Sequence, residues 1–151
     1  MTKLLLAVHV LAAILLVGPI AVAASLFPRF VTSAGDGERG VATLLHRICR
    51  GYTAVGVVVP VFGIATAARL GVLTDAWLIA SLALTAAAAA LLGATILPAQ
   101  RRLLAGVGAS GPPGDGRSAA RTLTMATGAF NLIWAVVVVL MIVRPGSTTG
   151  A

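Results

Sequence analysis

From Leu4 to Phe27 the chain runs for 24 residues with one ionisable side chain, His9. About 20 predominantly apolar residues are enough for a helix to cross a bilayer, so this stretch makes lipid the solvent. Three further stretches meet the same condition, Gly51 to Leu70, Trp77 to Leu97 and Leu123 to Val143. Backbone in hydrocarbon must satisfy its polar groups internally, which leaves helices or closed barrels. Apolar runs without in-out alternation exclude the barrel. The sequence therefore predicts an all-α fold, a four-helix transmembrane up-down bundle forming a single domain over residues 1–151. The turn at residues 71–76 is too short to return the chain any way but antiparallel. A composition 59% hydrophobic and only 10% charged agrees, since soluble domains carry about 25% charged residues.

The start of the chain also fits a cleavable leader: Lys3, the apolar run Leu4 to Val17, the Gly18-Pro19 break and Ala21-Val22-Ala23 as an A-x-A site. Cleavage would leave Arg29, Arg39, Arg47 and Arg50 on the outer side, against the positive-inside bias. The run also stays apolar as far as Phe27. A retained first span is the expectation.

Orientation follows from the basic residues. Segments 28–50 and 98–122 hold Arg29, Arg39, Arg47, Arg50, Arg101, Arg102, Arg117 and Arg121, while the opposite side holds Lys3, Arg69 and Arg144. Eight against three puts both termini outside and the two longer loops in the cytoplasm of a bacterial inner-membrane protein. The net charge of +7 belongs to these membrane-flanking residues. No basic face carries the aromatic residues that stack on bases, so nucleic acid is not an expected partner. The lipid bilayer is one: His46, Arg47, Arg50, Arg101 and Arg102 form a predicted collar at the headgroups.

Residues 105–118 contain Gly106, Gly108, Gly111, Gly114, Gly116 and Pro112-Pro113 and read as a flexible loop; the tail 145–151 reads the same way. Gly106 to Gly111 matches G-x-G-x-x-G, but a dinucleotide site needs a preceding strand and a following helix. A membrane span precedes this one and Pro-Pro follows. On the third span, Ala80, Ala83, Ala87, Ala90 and Ala94 recur at a 3-4-3-4 spacing, which puts a stripe of small side chains on one face. Close approach of another backbone is what such a stripe permits, and a homo-oligomer or a larger membrane complex is the matching expectation.

Few groups can carry chemistry. His9 lies about 9 Å along the first helix from Lys3, inside the hydrocarbon, where an ionisable group is a functional candidate by default. Its structural role would be to donate to a neighbouring helix; its chemical role would be to ligate haem b or a metal. Met141 falls within about one turn of the same depth, so a His/Met haem site is the cofactor to test. His46 lies at the opposite side of the bilayer and cannot share a ligand with His9. No acidic residue sits within a span, so the carboxylate relay common in transporters is missing; His9, Thr85 and Asn131 are the only start of a polar path. No triad assembles from the Ser and His residues. Cys49, the single cysteine, can form neither an internal disulfide nor a CxxC pair.

Pro19 and Pro60 each lack the N–H that would pair with the carbonyl four residues earlier, those of Leu15 and Gly56. Counting from Lys3, Arg69 and Arg144, these carbonyls and Asn131 share one depth, about 18 to 20 Å in. Asn131 is thus the expected donor to one of them.

His9-Val10-Leu11-Ala12-Ala13 followed by Gly18, together with Phe130-Asn131-Leu132-Ile133-Trp134 followed by Val143-Arg144-Pro145-Gly146, resembles the predicted integral membrane proteins of actinobacteria grouped as domain of unknown function 2269. The resemblance spans essentially the whole chain and implies fold and location. More distantly, the His-Val-Leu-Ala-Ala opening is similar to small haem-linked bundles, the copper-resistance D domain and the membrane protoporphyrinogen oxidase. Those place Trp before a glycine pair where this chain has Leu16-Val17-Gly18-Pro19, so His9 alone matches. The reading is a non-enzymatic membrane bundle or small subunit of a membrane assembly. A haem- or metal-binding redox protein using His9 and a small transporter or channel are the alternatives.

Overall fold

The computed structural model describes residues 2–33, 36–106 and 115–146. The glycine-rich loop beyond Gly106, with most of its G-x-G-x-x-G run, and the tail beyond Gly146 lie outside them. Four long helices make up the all-α bundle: the first Lys3–Val31, the second Gly37–Leu70, the third Ala76–Leu104 and the fourth Gly116–Val143. All four are long and apolar enough to cross a membrane, which makes this a multi-pass membrane protein by length and composition.

Each helix outruns its apolar span. The second is the clearest case: its apolar span begins at Gly51, yet Asp36–Gly56 is continuous helix. Ala42, Leu45, His46 and Cys49 are buried while Arg39, Arg47 and Arg50 are exposed. Buried positions three, one and three residues apart are one face of a helix, so the stretch is amphipathic and its arginines hide its apolar seam from a hydropathy count. Segment 28–50, expected as a loop, is therefore mostly helix. Thr32 and Ser33 follow the end of the first helix, and the second is helical from Asp36.

Prolines shape the helices. The first contains a π segment, Ala13–Val17, and the third another, Leu91–Ile96. Each ends two residues before a proline, Pro19 and Pro98. A proline ring crowds the carbonyl four residues back and gives it no N–H, and widening the preceding turn relieves both problems. The second helix breaks instead, at Val57, between Asp36–Gly56 and Val58–Leu70. There the Val61 N–H reaches the Val57 carbonyl at a stretched 3.4 Å, one residue past Pro60.

The main core joins the first, second, third and fourth helices through Ile20, Ala23, Ala24, Phe27, Ala42, Leu45, Cys49, Ala88, Leu92, Ile96, Leu123 and Phe130. A smaller cluster of Ala67, Trp77 and Leu78, with Met141 against it, closes the other end. Gly71 ends the second helix in the left-handed region at φ 71°, a conformation only glycine adopts without strain.

Candidate functional site

Among the described residues, polar side chains join helices at three contacts, two of them buried and the third at the bundle's surface. His9, 8% exposed, points its Nδ1 at the Val59 carbonyl of the second helix, 2.9 Å away. A carbonyl only accepts, so Nδ1 carries the proton and donates. The ring lies against Gly63. A Cβ placed there would be 2.9 Å from Cε1, 3.2 Å from Nδ1 and 3.6 Å from Nε2. Gly63 is thus a socket for the imidazole edge. The carbonyl that takes the bond is one residue before Pro60, in the segment the proline has distorted.

The second contact lies toward the other end. His46 Nδ1 is 2.9 Å from Gln100 Oε1, Gln100 Nε2 donates to Cys49 Sγ at 3.7 Å, and the Cys49 thiol donates to the Ile20 carbonyl at 3.9 Å. Gln100 and Cys49 are fully buried and His46 is 9% exposed. The donors run one way, from His46 through Gln100 and Cys49 to Ile20, which fixes the Gln100 amide orientation and puts a proton on His46 Nδ1. One chain of bonds ties three helices. The sulfur links are weak ones, and the His46–Gln100 bond is the strong member.

In the third contact, Asn131 Nδ2 donates to Ser25 Oγ at 3.0 Å, joining the fourth helix to the first.

These positions correct two expectations. His46 does not share the exposure expected of a headgroup collar: it occupies the inner seam of the amphipathic extension, whereas Arg47, Arg50, Arg101 and Arg102 are all exposed. Asn131 bonds neither Leu15 nor Gly56. It lies about 20 Å from Arg144 and Ser25 about 33 Å from Lys3, so the two helices are staggered by about 13 Å and equal counts from their ends do not give equal depth. His9 meets the second helix close to the kink, but at the Val59 carbonyl and not at the Gly56 carbonyl that Pro60 leaves without its N–H.

Met141 packs with Ala67, Trp77 and Leu78, and its carbonyl accepts from Arg144 Nε at 3.2 Å. The Arg144 guanidinium stands 5.6 Å from the centre of the Trp77 ring, and the Trp77 indole donates to Asp75 at 3.0 Å. No described contact brings Met141 to His9. Thr85 turns back onto its own helix, bonding the Ser81 carbonyl at 2.7 Å. Among the described residues no three His, Cys, Asp or Glu side chains converge. A shallow open groove of about 450 Å³ lies between Leu16 of the first helix and Arg47, Ile48, Gly51, Tyr52 and Val55 of the second.

Sequence reasoning missed Gln100, Gly63, Ser25 and Pro98. Gln100 stands beside Arg101 and Arg102 and reads as a headgroup residue. Gly63 and Ser25 acquire roles only once helix register is known, and Pro98 once the third helix is seen to continue to Leu104. No family model, curated protein or solved structure matches the chain.

Proposed function

We propose that this chain is a non-enzymatic subunit of a bacterial inner-membrane assembly, packing against a second copy of itself through the outer face of the third helix. One observation carries the reading. From Ala80 to Thr95 every exposed residue of that helix is Ala, Gly or Thr, namely Ala80, Ala83, Ala86, Ala87, Ala89, Ala90, Gly93, Ala94 and Thr95. The outer faces of its neighbours carry large side chains, among them Leu4, Leu11, Ile14 and Val22 on the first helix and Leu132, Val139 and Ile142 on the fourth. Lipid is as apolar as leucine and gives no reason to shed side-chain volume on one helix alone. Small residues let another backbone come close, and close packing is what drives association of membrane helices.

The interior supports a structural role. His9, His46, Gln100 and Asn131 are all engaged in interhelical bonds. The arginine bias supports an orientation with both termini outside and residues 28–50 and 98–122 toward the cytoplasm. The test is the mass of the purified protein in mild detergent. Ala83→Leu with Ala87→Leu should convert a dimer to a monomer; an unchanged mass would overturn the reading.

A second reading has one observation in its favour. Histidines that ligate metals commonly donate their other N–H to a backbone carbonyl, as His9 Nδ1 does to Val59. Protein purified from its native membrane should show no Soret band under the structural reading. A band abolished by His9→Ala would establish the redox alternative.

A further inference from the structure

The fourth helix buries Ala120, Leu123, Thr127, Phe130 and Val137, and the half-buried Trp134 fills the place between the last two. This seam alternates three and four residues and is apolar except at Thr127 and the Trp134 indole. Among the described residues, three side-chain atoms are sealed in the protein and receive no hydrogen bond from it: Thr127 Oγ1, Asn131 Oδ1 and Trp134 Nε1. All three are on this helix, four and three residues apart, so they share one face. Thr127 is about 16 Å along the helix from Gly116, and Trp134 about 14 Å from Val143, which puts the group near the middle of the span.

Unpaired polar atoms at that depth are costly, because hydrocarbon offers no partner. Thr127 has an easy way out that it does not take. Seven other Ser and Thr hydroxyls, including Thr53, Thr66, Ser81, Thr85 and Thr124, bond the carbonyl four residues back on their own helix. The Thr127 oxygen makes no such bond, and the residue sits 2% exposed in the seam.

The three atoms define their ligand. The indole N–H only donates, the amide oxygen only accepts, and the hydroxyl does either. A matching group must accept and donate at once. It must be neutral, since the helix has no ionisable residue between Arg121 and Arg144. It must also be small, since Asn131 and Ser25 hold the first and fourth helices together at 3.0 Å beside it. We propose that this face binds ordered water in the middle of the membrane, accepting from Trp134 Nε1 and donating to Asn131 Oδ1, with the Thr127 hydroxyl completing the set. Side chains three and four residues apart on a helix are about 5 to 6 Å apart, a gap that one water can bridge. The Asn131–Ser25 contact is then the protein edge of a hydrated site. This proposal stands apart from the oligomer reading and does not depend on it.

The test is indole N–H exchange in ¹⁵N-labelled protein in nanodiscs, with Trp134 and Trp77 told apart by Trp134→Phe. On transfer to D₂O the Trp134 indole proton should exchange well before the backbone amides of Phe130 and Ile133, and it should show magnetisation transfer from water. An indole proton that persists as long as those amides would overturn the proposal. Thr127→Val gives a second readout. A hydroxyl bonded to water is lost at a cost, so the unfolding midpoint should fall. A midpoint that is unchanged or raised would mean that the hydroxyl has no partner, against the proposal. If Thr127→Val does not fold, exchange in the unaltered protein still decides.

Discussion

Two glycine- and glutamine-sized choices govern the interior. Gly63 matters because the His9 ring occupies the space a side chain would need, with 2.9 Å between Cε1 and a Cβ there. Gly63→Ala should push the imidazole off the Val59 carbonyl. Overpacking of this kind costs about 1–3 kcal/mol, and unfolding in detergent with a His9→Ala comparison checks it. If His9 is the group displaced, Gly63→Ala should cost little further once His9 is already Ala. Gln100 matters because it satisfies two partners at once, His46 and Cys49. Gln100→Leu leaves the buried His46 N–H without an acceptor, which costs about 1–3 kcal/mol. His46→Leu in the same chain should recover part of that loss, since removing both partners is cheaper than stranding one. Additive losses in the double variant would argue against the bond.

At the scale of the helix, the Asn131–Ser25 bond joins two staggered elements. Hydrogen bonds between membrane helices average about 0.6 kcal/mol and reach about 1.7, so Asn131→Leu should weaken the bundle by that order without unfolding it. A double-mutant cycle with Ser25→Ala should return a coupling energy; zero coupling would remove the bond from the account. The four spans were legible because each holds its apolar run long enough to cross. Their ends were not, since Ala42, Leu45, His46 and Cys49 form a buried seam among arginines that lower the hydropathy. The distortions at Pro19 and Pro60 could be read from the missing N–H of proline. The form they take, a π segment in one and a break in the other, depends on packing. In the third helix, Ala88, Leu92, Ile96 and Gln100 are all buried at steps of four. At 3.6 residues per turn such steps drift about 40° each, and the wider π turn at Leu91–Ile96 corrects the drift. Gln100 could not be assigned to the interior from a regular helix alone, because its burial depends on that turn.

For the whole molecule, the candidate site is a set of contacts rather than a pocket, which is why single residues such as His9 were legible and their partners were not. A partner requires register, and the stagger of the first and fourth helices is set by how the seams interdigitate. Topology is testable by cysteine labelling in intact cells with Cys49 replaced by Ala: Ser118→Cys should stay unlabelled by an impermeant reagent, and Gly146→Cys should be labelled. The reverse pattern would invert the orientation. If the small-residue face of the third helix meets a second copy, oxidative cross-linking in native membranes will capture the contact. With Cys49 replaced by Ala, Ala87→Cys should form a disulfide-linked dimer and Val136→Cys, exposed on the fourth helix, should not. Equal cross-linking at both positions, or none at Ala87→Cys, would contradict it.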